Sequence, residues 1–150
     1  MPDSAATGPK AAALQASLVE LIDLSLQAKH YHWSVTGREF RSVHLQLDEI
    51  TDAVRLWYDE VAERLSTLDV APDGRVATIA ASTPLPAPAD GWQPDVEAVT
   101  RMRDQLTDVA SRIERRAAEI GDADLVTQGL LLEIAGGLQK HAWMLRVQAR

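Results

Sequence analysis

Cysteine is absent from the sequence, so disulfides and thiolate metal sites are excluded, and any metal centre must use imidazole and carboxylate ligands. Aromatic residues are scarce, with one Phe, two Tyr and four Trp, and a sheet core rich in aromatic and β-branched side chains is disfavoured. Basic charge is in deficit: 15 Lys and Arg face 22 Asp and Glu, a formal net charge of −7. Such a chain attracts cations rather than nucleic-acid phosphates. No apolar run approaches the ~20 residues of a membrane span. The start, "MPDSAATGPKAAALQ", lacks the basic and apolar regions of a secretory signal, and a cytoplasmic protein is expected.

Proline and glycine are concentrated rather than spread. Five of the seven prolines fall within residues 69–94, which marks a long connection, with one short helical turn expected around 77–81. Residues 1–10 carry the other two and read as a flexible arm, leaving 11–150 as one domain. On either side of the connection the apolar residues keep helical spacing. Leu14, Leu18, Leu21, Ile22 and Ser25 mark a first helix to about Val35, with Gly37 as its left-handed stop. Val43, Leu47, Ile50, Val54, Trp57, Val61, Leu65 and Leu68 mark a second over 40–68.

Pro94 is expected at the first position of a third helix, followed by Val96, Val99, Met102, Leu106, Val109, Ile113, Ala117 and Ile120. After "GDAD", the residues Leu125, Leu132, Ala135, Leu138, Ala142 and Leu145 mark a fourth. Two helical hairpins joined by a crossover long enough to return along a helix of about 42 Å give an all-α, ferritin-like four-helix bundle.

Three of the four histidines lie in "KHYHWSVTGREFRSVHLQLD", residues 29–48. With Asp48 at zero and ~100° per residue, His44 falls near about −40°, Asp59 near about 20°, Asp52 near about 40° and Glu63 near about 60°. The stripe points away from the apolar series around Trp57 and Val61. It is therefore not the centre usual inside one such bundle, which needs Glu-x-x-His pairs, a pattern the sequence lacks. Asp59 lies ~16 Å along the helix from Asp48, too far for both to hold one metal within one chain. A twofold axis near the middle of this helix brings His44 and Asp48 of one copy against Asp59 and Glu63 of another. His32, across a short turn from His44, reaches the same locus. A stripe of this kind is also what an ordinary solvated helix face looks like, and ligand type alone leaves a zinc or manganese site without redox turnover open.

His32-Trp33, Gly37, Phe40, His44, Asp48, Asp59 and Ala62-Glu63-Arg64, with Lys29 upstream and Trp143 in "KHAWMLR", resemble the signature of the Dps family, the DNA-binding proteins from starved cells. The resemblance implies a hollow homododecamer that oxidises Fe(II), preferably with hydrogen peroxide, and sequesters ferric mineral against oxidative damage. It also implies a di-iron ferroxidase centre with His32, His44 and Asp48 from one subunit and Asp59 and Glu63 from its twofold mate, Glu63 being the natural bridge. The alternative is a DNA-compacting nucleoid protein with vestigial metal sites. DNA binding is expected to be weak or absent, because the arm carries only Lys10 and "RVQAR" at the other end adds only two arginines.

The neighbouring residues keep two readings each. Trp33 is an electron donor to stray oxidant, as the resemblance suggests, or an aromatic packed under the site. Lys29 bonds a ligand carboxylate or competes with a second metal, or is a solvated lysine. Asp122 and Asp124 line an acidic entry pore, as the resemblance suggests, or cap the fourth helix. Glu49 and Asp52 are expected to face a mineral cavity. Trp57 is expected in the packing, His141 is read as structural or surface, and His30 and Tyr31 are assigned no role.

Overall fold

The computed structural model describes residues 8–150. The first seven positions of the expected arm lie outside the described residues, and the remainder is shorter than expected, because Pro9 already opens α1 (Pro9–Ser34) with Gly8 as its N-cap. Proline suits that position, where its missing N–H has no partner to lose. α2 (Phe40–Thr67) follows, then α3 (Val76–Ser82), α4 (Asp95–Ile120), a 3-10 turn (Gly121–Asp124) and α5 (Leu125–Gln148). α1 packs chiefly on α2, and α4 on α5. The chain is a four-helix bundle of two hairpins, and α3 lies against α1 within the crossover.

The core runs through Leu14, Leu18, Leu21 and Leu24, then Val43, Leu47, Ile50, Val54, Val61 and Leu65, with Met102, Leu106, Val109 and Ile113 facing Leu131, Ile134, Leu138 and Leu145. Each fully buried side chain of this size contributes roughly 1.5–3 kcal/mol of transfer free energy. Three expected core residues sit outside it: Val96, Leu125 and Leu132 are exposed. α5 is apolar on more than one face, as "LVTQGLLLEIAGG" shows, so spacing alone does not fix its rotation. Leu131 and Ile134 take the inward positions instead.

One feature has no helical periodicity and went unforeseen. Val35–Thr36 (β1) pairs in parallel with Gln93–Pro94 (β2), Val35 opposite Gln93 and Thr36 opposite Pro94. Pro94 is therefore the extended residue before α4 rather than its first helical position. The crossover helix is also longer than the single turn expected, at seven residues. The crossover is tied to the first hairpin by polar contacts: Gln27 Nε2 donates to the Pro86 carbonyl at 3.0 Å, and Thr83 Oγ1 to Asp23 at 2.5 Å. Between the hairpins, Glu20 is buried at 1% exposure and accepts from Arg112 Nε at 2.9 Å and Arg116 at 2.5 Å.

Candidate metal centre

His32 lies in the last turn of α1 and His44 in the second turn of α2, so the hairpin turn sets one ring against the other. The rings stack, with centroids 3.6 Å apart and planes 13° from parallel. His32 Nδ1 lies 2.7 Å from the His44 carbonyl, and His44 Nδ1 lies 2.6 Å from the His32 carbonyl. A carbonyl oxygen only accepts, so each Nδ1 carries the hydrogen and donates. In the neutral ring the lone pair is then at Nε2, and a carbonyl on the other ring nitrogen is the usual way a protein fixes a metal-binding imidazole. Phe40 packs over His44 with centroids 4.9 Å apart, and His32 is only 8% exposed.

Asp48 follows one turn after His44, its Oδ1 4.0 Å from His32 Nδ1. Lys29, one turn before His32, donates to the Asp48 carboxylate. That hydrogen bond is the main reason Asp48 titrates below the usual aspartate value; burial opposes it, and the charge of His32 adds to it. Of the two readings of Lys29, the bond to a candidate ligand is the one realised.

Asp59 and Glu63 do not join this group. Both are exposed on α2, and neither has a hydrogen-bond or ion-pair partner among the described residues. They are ~16 Å and ~22 Å beyond Asp48 at the helical rise. Among the described residues no three His, Asp or Glu side chains are arranged to hold a metal ion, His32, His44 and Asp48 included. The structure sets His32 against His44 with Asp48 one turn further along α2, 4.0 Å from His32 Nδ1, and leaves Asp59 and Glu63 apart and exposed.

The neighbours sort themselves by burial. Trp33 is 67% exposed, so within this chain it does not pack beneath the imidazoles. Trp57 is half-buried against Gly137 and meets His141 edge-on at 6.1 Å. Burial holds His141 below the usual histidine range, with Lys140 acting in the same direction and Glu49 against it. Tyr31 is a core residue and His30 bonds the Ala89 carbonyl at 2.9 Å. Asp124 caps α5, accepting from Thr127 N at 3.1 Å and Thr127 Oγ1 at 2.6 Å, and pairs with Lys10 at 3.0 Å and Arg64 at 3.1 Å. The Thr127 contacts hold its carboxyl well below the usual range, with Lys10 and Arg64 adding to them. Asp122, Glu49 and Asp52 are exposed. No described helix is long and apolar enough to cross a membrane.

The missed elements of the site are backbone contacts. The reciprocal imidazole–carbonyl pair depends on how closely α1 and α2 approach, and a sequence shows residue types without that distance. Lys29 three positions before His32 was the one signal legible beforehand.

Residues 11–150 match the model of the ferritin-like domain. The chain is 33% identical over 134 residues to DNA protection during starvation protein 2 of Deinococcus radiodurans, covering 89% of this chain but only 56% of that relative's length. It is 35% identical over 137 residues to the DNA protection during starvation protein of Mycolicibacterium smegmatis, covering 89% of this chain and 73% of the relative. Among solved structures, Dps92 from Deinococcus radiodurans superposes with a TM-score of 0.91 at 32% identity over 93% of this chain and 84% of that one. The tetragonal form of Mycobacterium smegmatis Dps gives 0.89 at 32% identity, over 93% and 84%. The bundle is that of the ferritin-like proteins, and within them the chain belongs to the Dps family.

Proposed function

We propose that the protein is a ferroxidase and iron-storage shell that oxidises Fe(II), with hydrogen peroxide as the preferred oxidant, and sequesters the ferric product against oxidative damage. The reading rests above all on the interlocked His32 and His44, whose Nδ1 groups are satisfied by carbonyls while Nε2 is left to bind. Membership of the ferritin-like and Dps families supports iron as the cargo. His32, His44 and Asp48 supply half of each centre, and the partner's Asp59 and Glu63 supply the rest, Glu63 bridging. A twofold across α2 forms two equal centres, and twelve copies close the shell.

Fe(II) is the substrate. Imidazoles orient it and leave positions open, while carboxylates favour the ferric product. Two Fe(II) ions lose one electron each; one peroxide accepts both, its O–O bond breaks, and two protons complete two waters. Paired delivery avoids hydroxyl radical. Lys29 is the internal cation of the unloaded half-centre, neutralising Asp48 until metal displaces it. The acidic balance of −7 supports storage over DNA compaction, since neutralising a phosphate backbone needs clustered Lys and Arg.

The test combines optical detection of peroxide-driven Fe(II) oxidation with particle mass. Rapid oxidation at two Fe(II) per peroxide in a closed oligomer is expected. A monomer at micromolar concentration, or peroxide consumption with radical release, overturns the reading. Retardation of duplex DNA at neutral pH and physiological salt would favour the DNA-compacting alternative.

A further inference from the structure

His32 and His44 sit on different helices, and the five residues between α1 and α2, Val35 to Glu39, fix how those helices meet. This turn is held from outside the hairpin. Asp95, the first residue of α4, accepts from Glu39 N at 2.8 Å through one carboxylate oxygen and from Val96 N at 2.8 Å through the other. Its charge lies at the N-terminal ends of both α2 and α4, where helix dipoles favour an anion. The β1–β2 pairing and a 3.3 Å bond from Thr36 Oγ1 to the Gln93 carbonyl fasten the first half of the turn to the same segment.

Gly37 makes this approach possible. Its φ is +125°, and a Cβ there would overlap the Asp95 carboxylate. The expectation that Gly37 stops α1 is corrected by the same geometry: α1 ends at Ser34, with Val35 extended as its C-cap. Only a residue with no side chain lets the carboxylate reach the turn.

We infer that Asp95 and Gly37 are positioning residues for the metal centre, setting the separation of the His32 and His44 imidazoles through the α1–α2 turn. Neither touches the rings. Displacement of the turn shifts α1 against α2, and the two imidazole–carbonyl bonds at 2.6 and 2.7 Å are lost together because each ring is tied to the other's backbone. The rings then regain rotation about their side-chain bonds, and Nε2 is no longer presented. Partners that orient metal-binding imidazoles typically contribute about ten- to a hundredfold in metal affinity.

The inference rests on the proposed centre, and Co(II) separates the two. Binding of Co(II) alone to the assembled protein is followed by its visible ligand-field bands, without oxidant, with His44→Ala as reference and with helix content and particle mass measured in parallel. Asp95→Ala and Gly37→Ala are expected to weaken the His44-dependent Co(II) binding about tenfold or more and to shift its bands. Asp95→Asn, which keeps one acceptor, recovers part of the affinity and decides the matter if the alanine variants fail to assemble. Arg112→Gln, which disturbs the remote Glu20 contact, costs stability and leaves the Co(II) spectrum unchanged. If Asp95 variants, Asn included, lose stability but bind Co(II) as the unaltered protein does, Asp95 is merely structural and the inference fails. If the unaltered protein shows no His44-dependent Co(II) binding, the centre itself is wrong and the inference falls with it.

Discussion

The two ends of α2 carry the same class of side chain in very different states. Near its start, His44 is stacked on His32, bonded to its carbonyl and one turn from an Asp48 already occupied by Lys29. Towards its end, Asp59 and Glu63 stand exposed and without partners among the described residues. The difference follows from what each group needs. An imidazole must have one nitrogen fixed before the other is presented, and this chain does so by folding back on itself. A carboxylate is acceptor-only and well hydrated, so it waits in water at little cost. One end of the helix is organised by folding; on the proposed reading, association organises the other.

The sharpest way to break that contrast is to damage each end separately. His44→Ala and Glu63→Ala are each expected to slow peroxide-driven Fe(II) oxidation by about a hundredfold or more, beyond the usual effect of an outer partner. Hybrid shells of the two variants should recover part of the rate, because one site of a mixed dimer receives both defects and the other none. Stopped-flow rates on verified hybrids decide it; no recovery would show that a single chain supplies every ligand.

Asp124 tests what holds the far end in place, since its carboxylate takes Arg64, the residue after Glu63. Asp124→Ala is expected to cost roughly 1–2 kcal/mol, the value of a lost helix cap, read from denaturant midpoints. Its folded pKa is depressed, so the contribution is present above the unfolded value near about 4 and is lost as pH falls through the folded value. The gap between variant and parent should therefore be wide at pH 7 and narrow in acid. A gap that stays constant from pH 7 down to pH 2 would show that charge is not what Asp124 contributes.

Lys29→Met should free Asp48 and tighten Zn(II) binding by about fivefold, the worth of a partly exposed ion pair of ~1 kcal/mol; weaker binding in calorimetry would make Lys29 a support for the centre rather than a competitor. The smallest effect belongs to the bare end. Asp59→Asn should change the stability of the dissociated chain by no more than about 0.5 kcal/mol, and a larger loss would reveal a partner within the subunit.

The same contrast divides what the sequence made legible. Repeating positions on one helix were readable: the Val43 to Leu65 series gave α2, and the angular arithmetic on His44, Asp48, Asp59 and Glu63 gave a polar stripe opposite the core. Contacts between distant segments were not. Asp95 beneath Gly37, Glu20 between Arg112 and Arg116, and β1 against β2 join residues with no periodic relation, so nothing in the local pattern announces them. Leu125 and Leu132 were misplaced for another reason, because a helix apolar on several faces offers more than one rotation. Nothing in the local sequence pattern sets Glu20 apart, and only the packing of α1 on α4 reveals it as buried.

That buried carboxylate bears on how the chain reaches its fold. Each hairpin gathers most of its contacts from neighbours in sequence, which favours early, local formation. Their docking is a different event, because Glu20 belongs to the first hairpin and both of its arginines to the second. Docked one helical turn out of register, a slip of about 5.4 Å, the apolar surfaces would still find apolar surface, but Glu20 would be stranded without its cations at a cost of several kcal/mol. A single acidic side chain thus proofreads the association of two greasy faces that on their own would tolerate error.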